Sequence, residues 1–431
     1  MRRRLALSGA TAALLAAATF TAPGAAAAVP EDCSWAATAS RLLEKLQQAG
    51  NPQAGAGIRA RLVELGFGAD GSLPAGCAAT DSGNTGTSGT QGGDQPLEGL
   101  AEKNVFAPPA AEGGQVISVG SGDDIGAANP GPGDVVEIAA GNYQGFTPKN
   151  GSDGAYVTYR AAPDAAVIIT GGGDGVLNLE NASWVRFDGL TVKDGSRFAI
   201  QITGSDHVAL TNCEVDGSQD GGMRIYDSSF IHVEGCDVHG TNAKGTSADS
   251  EALSLEKVSD FEVFNNRVHD NGEEGIDIKY GSNGGSVHHN AAWSNRGPNI
   301  YIDGSKDVDV HHNWAWDTTE GSKPGIMLAA EAEYSDGNIS DITIRDNVVW
   351  GNGGDGITLW QGNFSGIKII NNVFGDGDSP PGDAPGGVEL ADNVTGAIPS
   401  ALEAITGGGT SAANDSEGNG RTSGDSGDEG N

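Results

Sequence analysis

With 431 residues, 58 Asp and Glu against 24 Lys and Arg, and a formal net charge of −34, the chain carries a surface that repels nucleic acid and anionic lipid, and neither is expected as a partner. Its 69 glycines follow no collagen-like period and its aromatic share is only 6%. That composition suits short strands joined by tight turns better than helices.

Residues 1–28 read as a secretory signal peptide: Met1-Arg2-Arg3-Arg4 is basic, Leu5 to Phe20 is apolar, and Ala25 to Ala28 is a small-residue cleavage neighbourhood. The mature chain is expected to be secreted and extracellular, and loss of three arginines moves its charge from −34 to −37. No later apolar run reaches the roughly 18 residues of a membrane span. Residues 29–79 read as a small helical module. Ser34 can cap Trp35 to Gln48, where Trp35, Ala39, Leu42, Leu43 and Leu46 form one apolar stripe, and Ile58 to Leu65 repeats the pattern. So small a unit needs a staple, and an oxidising setting permits a Cys33–Cys77 disulfide. A wall-binding role, a propeptide and an inert spacer all fit this module. Residues 80–112 read as a linker, rich in Gly, Ser, Thr and Asn.

From residue 113 to residue 405 the reading is β. Gln115 to Val119, Val135 to Ile138, Tyr156 to Tyr159 and Val167 to Ile169 are short strands, expected to cap the N-terminal edge of a repeated array. Glu251 to Asp317 falls into three lines of 23 to 24 residues, each with two alternating apolar segments, the second ending in Asn, and a polar loop. The same register runs from Gly175 to Phe374. Inward positions on the first strand are Leu177/Leu179 through Ile276/Ile278 to Ile357/Leu359, and on the second Val185/Phe187 through Val287 to Ile367/Ile369. Stacking aligns Cys213, Cys236, Asn266, Asn290, Asn313, Asn347 and Asn372 in one column. Cys213 and Cys236 there are either bonded or two stacked thiols. Insertions fall at Gly240 to Ser250, Glu331 to Asn338 and Asp376 to Gly386, and residues 406–431 read as a disordered acidic Gly/Ser tail.

This repeat with its Asn column resembles the right-handed parallel β-helix of the pectate-lyase-like superfamily. The resemblance covers about residues 113 to 393 and implies an all-β solenoid behind the small helical module.

On the outward face of the first strand one column reads Asn178, Gln201, Arg224, Ser254, Asp277, Tyr301, Met327, Thr358, and the next reads Glu180, Thr203, Tyr226, Glu256, Lys279, Asp303, Ala329, Trp360. The middle coils thus gather Glu251, Glu274, Asp277 and Asp303 around Lys279. So many carboxylates repel one another unless a hard cation with oxygen ligands joins them, and Ca²⁺ is the expected cofactor with those four as ligands. The arrangement suits β-elimination from a uronate: calcium on the carboxylate, Lys279 as base, Arg224 or Arg296 assisting the charge, and Tyr301 protonating the leaving oxygen. Glu256 and the outward Trp360 are candidate sugar contacts. Glu274-Gly275-Ile276-Asp277-Ile278-Lys279 also resembles the spaced Glu and Lys of the alginate-lyase and chondroitinase-B-like lyases, which implies Glu as calcium ligand and Lys as base. The arginine those lyases carry one coil later is missing, since Ile300-Tyr301 stands there. Resemblance to the lysine-and-calcium pectate lyases is comparable.

The expected partner is an extracellular or cell-wall polysaccharide of pectate or alginate type, met by a monomer. Hydrolysis is the rival chemistry, with Asp277 and Asp303 as acid and base and no metal. A non-catalytic carbohydrate-binding surface is the third class. His288 with His311, read as outward, and His289 with His312, read as inward, lack an obvious third ligand for zinc and read as structural. Trp316 and Trp350 read as core or loop fillers.

Overall fold

The computed structural model describes residues 114–396. The expected signal peptide, helical module, Cys33–Cys77 bond, linker and tail lie outside the described residues. Among the described residues no helix is long and apolar enough to cross a membrane, and the helical turns are two short 3₁₀ segments, Ile125–Ala127 and Gly245–Ser247.

The chain winds as a parallel β-helix with three sheets of eight, thirteen and eleven strands. One coil contains Leu253–Glu256 in the eight-stranded sheet, Ser259–Phe264 in the thirteen-stranded sheet and Arg267–His269 in the eleven-stranded sheet. The next repeats this with Ile276–Lys279, Asn283–His288 and Ala291–Trp293. Sequence alternation exposes the first two strands of each coil. The third reads as loop because it is short and sends a single side chain inward: Val238, Val268, Ala292, Ala315 and Val349, all fully buried. The opening strands are themselves rungs. Val116–Val119 pairs with Val135–Ile138, which pairs with Val157–Ala161 and so joins Ser183–Asp188.

Inside the tube, like stacks on like. Ile200, Met223, Leu253, Ile276, Ile300, Ile326 and Ile357 form one fully buried column in continuous parallel register. Each such side chain contributes about 1.5–3 kcal/mol by leaving water. Coils turn through residues in the left-handed region. At one corner these are Asn212, Asn265, His289, His312, Asp346 and Asn371, with φ between 53° and 60°, a conformation that Asn and Asp tolerate better than most residues. His289 and His312 therefore stand at a corner, half-buried, and do not point into the core as the alternation suggests.

The residue after this corner turns inward, and its polar group must be satisfied there. Asn290 Oδ1 accepts from the backbone N–H and the Nδ2 of Asn266, each at 3.0 Å, while Asn290 Nδ2 donates to Val263 O at 2.9 Å and to Asn313 Oδ1 at 3.0 Å. The ladder continues through Asn347 and Asn372 and ends at Asn393, one rung beyond the column that repeat spacing predicts. Upstream the ladder is completed by sulfur. Cys213 and Cys236 are buried thiols, which corrects the disulfide reading held open for this pair: no bond exists among the described cysteines. Each sits as a rung. Cys236 Sγ donates to Leu210 O at 3.6 Å, the place where Asn266 Nδ2 meets Val233 O, and Cys213 Sγ donates to Thr211 O at 3.4 Å.

Asn290→Ala leaves the amide N–H of Asn266 and the carbonyl of Val263 short of a partner and is expected to destabilise the fold by about 2–6 kcal/mol, taking about 1–3 kcal/mol per unsatisfied group. Urea unfolding followed by circular dichroism measures this.

Candidate functional site

The eight-stranded sheet positions the candidate residues. Asp277 pairs across coils with Ser254 and Tyr301, and Lys279 with Glu256 and Asp303. Alternation turns these four side chains away from the core, yet Asp277, Lys279, Tyr301 and Asp303 are only 2%, 6%, 6% and 1% exposed. The segment after Ala330 folds over Tyr301 and Asp303. Tyr301 donates its hydroxyl to Glu331 Oε1 at 3.1 Å, the Glu331 N–H donates to Asp303 Oδ1 at 3.1 Å, and the Tyr334 ring stacks on Tyr280 at 5.4 Å. Behind this cover Tyr301, Met327 and Ala329 form a small apolar cluster of their own.

At the centre Lys279 Nζ donates to Glu251 Oε1 at 2.5 Å and lies 3.4 Å from Asp277 Oδ2. Burial works against the ammonium, but the charges of Glu251 and Asp277 outweigh it and hold the lysine well above its usual range. Glu251 is correspondingly held below the usual carboxylate range: burial opposes its charge, and Lys279 overcomes burial. The remaining carboxylates have no such partner. Burial and the charges of Glu251 and Glu273 push Glu274 up to about 7. Asp277 rises well above its usual value through burial, which Lys279 only partly offsets against Glu251, Asp303 and Glu274. Asp303 is raised to about 6 by burial, despite its hydrogen bond from the Glu331 N–H. The Tyr301 hydroxyl is held protonated by burial and by Asp303, Asp277 and Glu331.

The structure therefore brings Glu251, Asp277 and Lys279 into contact and stacks Asp303 and Tyr301 on the next coil. Glu274 is tucked against Gly297, where a Cβ would lie 2.6 Å from its carboxyl carbon. The arginines go elsewhere. Arg224 pairs with Glu256 at 3.3 Å, over the rings of Phe198 and Tyr226. Arg296 pairs with Glu273 at 3.1 Å and with Glu320. Trp360 is 56% exposed, just past the last strand of the sheet. Glu331, Glu273 and Tyr280 join the site without a sequence signal. Glu331 lies in an insertion with no counterpart in other coils, so stacking columns cannot locate it.

The four carboxylates offer the oxygen-only donor set and the excess negative charge that suit a hard cation, and Asp277 Oδ1 is buried without a hydrogen-bond partner. Their ligand atoms are not drawn to one point, since Lys279 Nζ stands between Glu251 and Asp277. Among the described residues the groups of three whose ligand atoms lie within 4.8 Å of one another are His288, His289, His311 and Glu214, Asp216, His239. Unmet hydrogen-bonding capacity runs along the same face: Asn178 Oδ1, Gln201 Oε1 and Thr203 Oγ1 join Asp277 Oδ1 as buried atoms without partners. The column from Asn178 to Tyr301 spans five coil steps, about 24 Å at about 4.8 Å each.

A carboxyl whose folded pKa is raised binds its proton more tightly folded than unfolded, so it favours folding at low pH and this contribution is lost as pH climbs. For Asp303 the window runs from about 4, the unfolded value, to about 6. Asp303→Asn keeps an oxygen for the Glu331 N–H. It is expected to raise the melting temperature at pH 7 relative to wild type and to flatten the fall in stability between pH 4 and 6, as read by thermal melts across that range.

A family model described as the right-handed β-helix region matches residues 199–374. No curated protein matches the sequence. Among solved structures, the A-module of a mannuronan C-5 epimerase from Azotobacter vinelandii is similar over 66% of this chain and 90% of its own, at 11% identity and a TM-score of 0.41. An alginate lyase from Paenibacillus sp. str. FPU-7 is similar over 65% and 97%, at 16% identity and 0.42. A lacto-N-biosidase from Eubacterium ramulus is similar over 66% and 68%, at 12% identity and 0.42. The sheet topology makes the described part of the chain a parallel β-helix, and the family model describes residues 199–374 as its right-handed region.

Proposed function

We propose that the protein is a secreted polysaccharide lyase that cleaves a uronic-acid-containing polysaccharide, of pectate or alginate type, by calcium-assisted β-elimination. The observation that carries this reading is a buried lysine, Lys279, enclosed by more carboxylates than it can neutralise, on a sheet face whose polar atoms lack partners over several coils.

Calcium held by Glu251, Glu274, Asp277 and Asp303 would offset the substrate's carboxylate charge and make the proton alpha to that carboxylate more acidic. With the carboxylates so engaged, Lys279 would lose the charges that hold its proton, release that proton to solvent and stand as a neutral amine able to accept one. Lys279 takes the α-proton, the electron pair forms a carbon–carbon double bond, and the glycosidic oxygen departs from the β-carbon. Tyr301, kept protonated by its surroundings, gives that oxygen its proton. Arg224 and Glu256, as a bonded pair three and two coils from Tyr301, suit contacts to neighbouring sugars, and Trp360 offers a stacking face.

One observation favours hydrolysis as a second reading. Asp277 and Asp303 both have raised pKa values, and one step across coils and two residues along the strand put their backbones about 8 Å apart. An acid and a base at about 5–9.5 Å is the separation glycosidases use.

Incubation with pectate, alginate and glycosaminoglycans, with and without chelator, is expected to release unsaturated products that absorb in the near ultraviolet only when calcium is available. Lys279→Ala is expected to lower the rate by about 10²–10⁴, the usual worth of a general base, and Tyr301→Phe to lower kcat more than it changes KM. Absence of unsaturated products from every polyuronate overturns the lyase reading, and reducing ends without absorbance establish hydrolysis. Binding of polysaccharide that is indifferent to Lys279→Ala, without any product, indicates a non-catalytic surface.

A further inference from the structure

The tripeptide His-His-Asn occurs twice, at residues 288–290 and 311–313, and the thirteen-stranded sheet pairs His288 directly with His311. His289 and His312 follow at the left-handed corner, both with φ of 55°. That backbone turn folds the second imidazole of each pair back onto the first, so that Nδ1 meets Nδ1 at 2.8 Å in one coil and 2.9 Å in the next. Rings at equivalent places stack, His288 on His311 at 4.7 Å and His289 on His312 at 5.0 Å.

The hydrogen bonding of these rings is that of ligands. Two imidazoles whose Nδ1 atoms touch cannot both be protonated there; one donates and one accepts. Glu262 Oε1 lies 3.1 Å from His288 Nε2 and fixes that nitrogen as the donor, which leaves the neutral ring's lone pair on Nδ1. A carboxylate behind a histidine is the usual support for a metal-ligating imidazole. Glu262 also contacts His232 at 3.3 Å, so two imidazoles from different coils share this carboxylate. His311 Nε2 faces Asp309 at 3.8 Å. The one cationic side chain facing the group from the next coil, Arg345, is bonded to Asp309 at 2.8 Å and to Asp346 at 2.9 Å.

We propose that His288, His289 and His311, with His312 as a further donor beside them, bind one divalent transition-metal ion of the zinc type. Their ligand nitrogens already lie within 4.8 Å of one another. Zinc–nitrogen bonds of about 2.0–2.1 Å in tetrahedral geometry need nitrogens about 3.4 Å apart, a distance reached by tilting one of the stacked rings. Imidazole nitrogen selects zinc, nickel or copper over calcium, so this site and the carboxylate cluster on the eight-stranded sheet take different ions. The ion would tie two successive coils together at their corner.

The neighbouring coils supply the variants. Phe264-Asn265 and Arg345-Asp346 occupy the same places one coil before and one coil after the two pairs. His288→Phe with His289→Asn therefore copies one neighbour, and His311→Arg with His312→Asp copies the other. The tag-free full chain, stripped of metal and held in excess Ca²⁺, is titrated with Zn²⁺ by calorimetry and melted with and without Zn²⁺. The expected result is one zinc per chain, a melting temperature raised by zinc, loss of both effects in each double variant, and a 10–100-fold weaker affinity in Glu262→Gln, about the usual effect of removing a supporting carboxylate. Absence of zinc binding in the wild type overturns the proposal. So does undiminished binding in a double variant that melts like the wild type, a result that moves the ion to Glu214, Asp216 and His239.

Discussion

Everything in this molecule depends on backbone hydrogen bonding between successive coils in parallel register. Because each coil sits directly on the last, about 4.8 Å away, a residue type that occurs once per repeat becomes a continuous column. Apolar columns such as Ile276–Ile300–Ile326 build the core at no electrostatic cost. Polar columns must satisfy themselves along the tube axis. The ladder from Asn266 to Asn393 does so because an amide donates and accepts at once, and the thiols of Cys213 and Cys236 continue it more weakly at its upstream end.

The same stacking that satisfies amides penalises carboxylates. Glu251, Asp277 and Asp303 stand on three consecutive coils around Lys279, and burial, together with the charges of neighbouring carboxylates, raises the pKa of Glu274, Asp277 and Asp303. A structure that merely needed a soluble outer face would leave these groups in water. Here Asp277 and Asp303 are buried, with the segment bearing Glu331 reaching Asp303, and in so dry a place each charge acts strongly on the next. A cation or a substrate entering this cluster meets groups already poised between charge states.

Corners are the second place where geometry concentrates chemistry. Left-handed residues at Asn265, His289, His312 and Asp346 make the chain turn without a loop, and they aim the corner side chain at its neighbour. Where corner and neighbour are both histidine in two coils running, four imidazoles meet. Aromatic stacking obeys the same rule on the eleven-stranded sheet, where His269, Trp293, Trp316 and Trp350 stack in order at 4.1, 4.8 and 4.9 Å. Trp316 and Trp350 flank the inward Ala315 and Val349, so they line the outside of the tube, although their apolar character suggests core or loop fillers.

The amino-acid sequence by itself determined the solenoid, its coil register, the inward columns and the ladder, because a 23- to 24-residue repeat with period-two alternation leaves one way to stack. It also located Lys279 among Glu251, Asp277 and Asp303, since register alone makes residues one repeat apart neighbours. Tertiary structure decided what repetition cannot encode. The third strand is too short to alternate, and the turns between strands have no alternation from which the direction of a long side chain can be read, as when Arg296 turns to Glu273 and Glu320. The cover over the site comes from an insertion, and an insertion has no register to read. For Asp303 and Tyr301 that cover supplies direct partners, the Glu331 N–H and its carboxylate, which no repeat encodes.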